Sequence, residues 1–160
     1  MARYIPKILI VILALQHIGV TLASPYKTIP MNRKHLATFY IDVSLAEREY
    51  QEFMVDTGAG YTTINEQTLK RLLATGNAEY IGQLTGVMAD GSRQHLPLYL
   101  IKQLVLGEDC VLYDIEAAVF PEETRMLLGL NALEKAAPFV FSTNPPLLSV
   151  SNCGTTAGIY

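Results

Sequence analysis

One carboxylate in this sequence is placed where it could act on a substrate. Phe53-Met54-Val55 leads into Asp56, Thr57-Gly58-Ala59-Gly60 follows, and Tyr61-Thr62-Thr63-Ile64 carries the chain away. Hydrolysis of an amide by water needs one group to take the water's proton and another to protonate the carbonyl oxygen. Two carboxylates about 3 Å apart do both, because like charges that close cannot both ionise. One keeps a proton, the other acts as base, and the pair titrates as a unit. Thr suits the position after the acid, since its hydroxyl can bond local backbone and pin a turn. Gly lets the turn bend and lets a peptide backbone approach. Three residues alone are a weak signal, because an Asp and a Gly at a strand end also make an ordinary turn.

The chemistry needs two carboxylates and the chain offers one. Asp42, Asp90, Asp109 and Asp114 lack a following Thr-Gly or Ser-Gly. With 160 residues, 50% of them hydrophobic, the chain can bury one core and not two. A symmetric homodimer with Asp56 near the two-fold axis would supply the partner. Activity would then depend on protein concentration.

The elements around Asp56 read as short strands. Thr38 to Val43 and Tyr50 to Val55 flank a polar turn, a predicted hairpin. Thr62-Thr63-Ile64 is β-branched. Asn65 can cap a helix in which Leu69, Leu72 and Leu73 fall at helical spacing and which Gly76 can end. Tyr80 to Val87 and Arg93 to Leu100 flank Asp90-Gly91, a two-residue hairpin signal. Ile101 to Leu106, Val111 to Phe120 and Phe139-Val140-Phe141 add strands, and Leu130 to Lys135 a short helix. The predicted fold is all-β, a small closed barrel with one or two short helices.

A second apolar element, Met126-Leu127-Leu128-Gly129-Leu130-Asn131-Ala132-Leu133, ends in a Gly before the predicted helix. With it, residues 36–150 resemble the retropepsin-like (clan AA) aspartic proteases, in particular the bacterial, membrane-targeted group with Asp-Thr-Gly-Ala after an N-terminal apolar segment. The resemblance implies that Asp56 is catalytic and that Thr57, Gly58 and Ala59 form its loop. It implies that a hairpin flap from Thr85 to Leu96 closes over substrate, with Val87, Met88, Ala89, Asp90 and Gly91 contacting it. It also implies that Leu127-Leu128-Gly129 supports the loop and that the active form is a homodimer. The chain departs from the retroviral pattern after Ala59. Gly60 and Tyr61 stand where acidic residues follow, and Leu130 stands where an Arg pairs with one of them. Both partners of that ion pair are absent together, so no unpaired charge is left buried.

Residues 1–23 differ from the remainder. Arg3 and Lys7 precede the apolar run Ile8 to Leu15, and Thr21-Leu22-Ala23-Ser24-Pro25 offers a small-residue cleavage site. This predicts a secretory signal, with an uncleaved membrane anchor as the alternative. Either places the rest outside the cytoplasm, in the periplasm or beyond, with membrane attachment through this segment if it is kept. Residues 24–35, with Pro25, Lys27, Pro30, Asn32, Arg33 and Lys34, read as a flexible arm, and 151–160 as a tail. A net charge of −3 leaves no basic footprint for nucleic acid. No cofactor is implied. His17 lies in the signal, and His35 and His95 have no Cys or carboxylate spaced to join them in a metal site. Cys110 and Cys153 suit either a disulfide after export or two free thiols.

The expected function is hydrolysis of peptide bonds in proteins or peptides by paired Asp56 carboxylates. The first rival is a non-catalytic peptide- or protein-binding domain on the same barrel, since fold does not guarantee chemistry. The second is an Asp-x-Gly phosphate-loop ATPase, which Val55 to Thr63 faintly resembles. It lacks a second phosphate loop here, and nucleotide binding by calorimetry would reveal it.

Overall fold

The structure, a computed structural model, describes residues 26–154 apart from 36, 46–48 and 123. The predicted signal at 1–23 therefore lies outside the described residues. The elements are β1 Lys27–Pro30, β2 Asn32–Lys34, β3 Thr38–Ser44, β4 Tyr50–Val55, β5 Thr62–Asn65, α1 Glu66–Ala74 and β6 Ala78–Val87. There follow β7 Arg93–Leu106, β8 Cys110–Phe120, β9 Leu127–Leu128, α2 Leu130–Lys135, β10 Phe139–Thr143 and β11 Pro146–Val150.

Eight strands run in the order β2-β3-β4-β9-β5-β8-β7-β6, and a β3–β7 pairing (Val43↔Leu106, Ser44↔Val105) closes the sheet into a barrel. The fold is all-β with two short helices. Period-two alternation fills it: Ile41 and Val43 are fully buried while Asp42 between them is exposed. Phe53, Ile64, Ile101, Leu104, Ile115, Leu128 and Leu133 complete the centre. The predicted β3–β4 hairpin is present, antiparallel with Ile41↔Phe53. The predicted break at Ile101 is absent, and β7 runs through 14 residues. Pro97 is tolerated within it because β8 joins β7 only from Leu98 onward.

Both helices lie where sequence placed them. The Asn65 side chain accepts from the Thr68 amide at 2.9 Å, capping α1. Of the three leucines expected on its inner face, Leu72 is buried and Leu69 half-buried, while Leu73 is exposed. Leu73 lies about 100° round the helix from Leu72 and so leaves the packed face.

Two ends of the chain depart from expectation. Residues 24–35 read as a flexible arm, yet β1 pairs with β11 and β2 with β3, and Ile29 and Met31 are buried. Polar composition concealed this, because an edge strand needs only every second residue to be apolar. β11, between β1 and β10 in a three-stranded sheet, was not among the expected strands; Pro145 and Pro146 stand at its start. Beyond it, Cys153 bonds Cys110 and Gly154 bridges Val111, so residues 151–154 are fastened to β8.

Candidate active site

Asp56 follows directly on β4, and β9 holds it there. β9 lies between β4 and β5, parallel to β4 (Met54↔Leu127, Val55↔Leu128) and antiparallel to β5 (Thr63↔Leu127). The Asp56 amide donates to the Leu128 carbonyl at 3.1 Å. The loop from 56 to 61 thus leaves and re-enters the sheet on either side of a strand, Leu127–Leu128, that lies far along the chain.

The loop is fastened at each turn. The Gly58 amide donates to Asp56 Oδ1 at 2.9 Å, so the acid's own carboxylate closes the turn. Thr57, expected to pin the turn with its hydroxyl, is exposed. The Leu130 amide donates to the Ala59 carbonyl at 2.7 Å and the Asn131 amide to the Gly60 carbonyl at 3.2 Å. A Cβ on Gly129 would lie 2.3 Å from the Tyr61 carbonyl carbon and oxygen, so only Gly fits between loop and helix. Leu128 is fully buried behind it. The supporting role expected of Leu128 and Gly129 therefore has a concrete form: one carbonyl and one missing side chain.

Asn131 is a member of this support that sequence reasoning missed. Its Oδ1 accepts from the Thr62 amide at 2.8 Å and from the Thr62 hydroxyl at 2.9 Å, and its Nδ2 donates to the Glu116 carbonyl at 2.7 Å. Thr62 is fully buried, and a buried polar group without a partner costs about 1–3 kcal/mol. The only sequence signal was a polar residue within an apolar stretch, two positions after Gly129.

A cleft of about 520 Å³ opens against this loop. Asp56, Gly58, Ala59 and Gly60 line it from the loop, and Val87, Met88 and Ala89 from the hairpin formed by β6 and β7. Thr57 is not part of the lining. Nor are Asp90 and Gly91, which the sequence reading had placed on substrate; they form the outer turn of the hairpin. Leu84, Gly86 and Leu96 take that place on the hairpin's inner side. Leu84 and Leu96 are cross-strand partners, and both point one way because side chains alternate along a strand. Tyr61, Ala118, Phe120 and Leu127 complete the wall.

The hairpin tip is longer than the expected two residues. The Met88 amide donates to the Ser92 carbonyl at 2.8 Å and the Gly91 amide to the Met88 carbonyl at 2.9 Å. Gly91 takes φ 82°. This is a three-residue loop ending in a left-handed Gly. Asp90 Oδ1 accepts from the Ser92 amide at 2.9 Å. The hydroxyl and then the backbone amide of Ser92 hold the Asp90 carboxyl below its ordinary pKa.

Asp56 is half-buried and is the only charged side chain among the described residues lining the cleft. Among the described residues no group of three or more His, Cys, Asp or Glu side chains is arranged to hold a metal ion. One carboxylate on a rigid loop beneath an apolar hairpin can polarise or deprotonate water, and among the described residues lining the cleft it has no acid partner.

A family model described as gag-polyprotein putative aspartyl protease matches residues 41–135. That span runs from β3 through the Asp56 loop and the hairpin to the end of α2. The fold is also similar to the crystal structure of a retropepsin-like aspartic protease from Rickettsia conorii, at 23% identity and a TM-score of 0.55, covering 78% of this chain and 90% of that one. No curated protein gives a significant match.

Proposed function

The chain belongs to the retropepsin-like aspartyl proteases, the family of the gag-polyprotein putative aspartyl protease, and on that premise we propose that it is an aspartic endopeptidase working as a homodimer. The observation that carries the reading is the setting of Asp56. It is half-buried, held through its own carboxylate and its backbone amide, and is the sole acid among the described residues lining a cleft large enough for peptide side chains.

In the proposed reaction, two copies bring their Asp56 carboxylates together with one proton between them. The ionised carboxylate takes a proton from water as its oxygen attacks the peptide carbonyl carbon, and the protonated one gives its proton to the carbonyl oxygen. The tetrahedral species then collapses, a proton returns to the departing nitrogen, and the C–N bond breaks. Exposure of Thr57 and Gly58 beside Asp56 supports a partner at this loop. The β6–β7 hairpin covers the peptide and excludes water.

The protein is further proposed to be exported, to the periplasm or the cell exterior, with residues 1–23 as signal or anchor. The Cys110–Cys153 disulfide supports this, since such bonds persist in oxidising compartments.

The deciding experiment is an Asp56→Asn exchange, assayed on an unfolded protein at acidic pH. The variant should keep the wild-type melting temperature and sedimentation behaviour and cleave nothing. Retained peptidase activity would sink the mechanism.

A further inference from the structure

We propose that the Cys110–Cys153 disulfide is a redox-sensitive fastening for the Asp56 loop, so that a dithiol reductant that opens it lowers turnover in a protein that is still folded; this rests on the peptidase reading of Asp56. Cys153 lies in 151–154, the segment that follows β11. On one side that segment is joined to β8, through the disulfide and through Gly154 and Val111, which exchange backbone hydrogen bonds of 2.9 and 3.2 Å. On the other side it is joined to the end of α2. The Asn152 side chain donates to the Lys135 carbonyl at 2.9 Å, and the Asn152 and Ser151 amides each donate to the Ala136 carbonyl at 3.2 Å. The last carbonyls of a helix have no partner within it, so these bonds complete α2.

The start of α2 holds the acid loop. Leu130 and Asn131 are its first two residues, and their amides are the donors to the Ala59 and Gly60 carbonyls. With only six residues, α2 is too short to persist by its own hydrogen bonds. It depends on what grips each end and on the burial of Ala132 and Leu133. One continuous set of bonds therefore runs from the disulfide through residues 151–152 and α2 to the loop that carries Asp56. The disulfide has two chemical states, which gives this set a switch. Cys110 is fully buried and Cys153 only partly, so a small thiolate reaches the Cys153 sulfur. Its attack expels the Cys110 thiolate and leaves a mixed disulfide at Cys153. The reductant's second thiolate then attacks its own first sulfur, expels the Cys153 thiolate and departs as a cyclic disulfide, and both cysteines take up protons. Ala132 and Leu133 stay packed, so α2 loosens at its ends without leaving the barrel.

The test compares the oxidised wild type, the wild type reduced with dithiothreitol at neutral pH, Cys110→Ser/Cys153→Ser, and Asn152→Asp, which keeps the disulfide but loses the side-chain donor. Each is assayed on an unfolded protein at acidic pH, where thiol exchange stops, and well below its melting temperature, with Asp56→Asn as the blank. Reduction should lower kcat about tenfold with KM little changed, and reoxidation by glutathione disulfide should restore it. Cys110→Ser/Cys153→Ser should match the reduced protein and ignore dithiothreitol. Asn152→Asp should show part of the loss while oxidised. Amide hydrogen exchange reads the fastening without activity: in all three altered forms Leu130 and Asn131 should speed up more than the β3–β4 amides. A cross-link that acts only on the unfolded chain would speed all core amides alike and leave kcat untouched, and that result would overturn the inference. If the reduced protein is unfolded, Asn152→Asp decides, and unchanged exchange and kcat in it would overturn the inference. An oxidised wild type no more active than the blank would overturn the peptidase reading, and this inference with it.

Discussion

Gly129 is the residue whose side chain the site can least accommodate. The atoms a Cβ would strike are Tyr61 carbonyl carbon and oxygen at 2.3 Å and the Thr62 nitrogen at 2.6 Å, all of them backbone. Relief requires moving the Asp56 loop or α2, and overpacking of this kind costs about 1–3 kcal/mol. Gly129→Ala is therefore expected to unfold at lower urea concentration and to lose peptidase activity beyond what the stability loss explains. Gly60 is the control, because a Cβ there meets nothing within 4 Å. Gly60→Ala should shift stability by no more than about 0.5 kcal/mol, and equal urea midpoints for the two variants would contradict the packing argument. At this scale the sequence disclosed Asp56 and Gly129, since each sits in a short pattern with few alternatives. Asn131 stayed hidden because its role consists of contacts across 69 positions of chain.

The hairpin of β6 and β7 is where a titration should be visible. Asp90 closes the tip by accepting from Ser92, and its folded pKa lies below the ordinary carboxylate value. A lowered folded pKa means that the ionised form favours the ordered tip. That contribution is present above the unfolded pKa and fades as pH falls through the folded one. The Ser92 amide resonance should accordingly titrate below the usual carboxylate range, and the tip should gain mobility there. In Asp90→Asn the same resonance should be flat across that range, and an unchanged titration would refute the assignment. The strands of this hairpin were readable from alternation and from Asp90-Gly91. The tip length was not, because Met88 and Ser92 pair by backbone alone.

For the molecule as a whole, two joints matter. The Cys110–Cys153 disulfide closes a separation of 43 residues and ties the segment after β11 to β8. Loop-closure entropy for such a span is worth roughly 4 kcal/mol. The Cys110→Ser/Cys153→Ser protein should melt well below the oxidised wild type, and a change under about 1 kcal/mol in chemical unfolding would show that the model-based entropy does not apply here. The second joint is the proposed one between copies. If each copy supplies one Asp56, specific activity should fall on dilution through the dimer dissociation constant. Constant specific activity over a wide dilution series that includes free monomer, seen by sedimentation, would rule out the shared dyad.

The barrel, its two helices and the acid loop were legible in the chain because each is written locally: period-two burial, an Asn cap, a Gly stop, an acid between two extended runs. The expectation of a second copy likewise rests on a count of Asp-Thr-Gly that needs no structure. Placing β9 between β4 and β5, recruiting the polar arm as β1 and β2, joining Cys110 to Cys153 and assembling the cleft wall all lay beyond that reading. Each joins segments distant along the chain. Such pairings depend on which buried surfaces and backbone groups meet when the sheet closes, and no local pattern encodes that meeting.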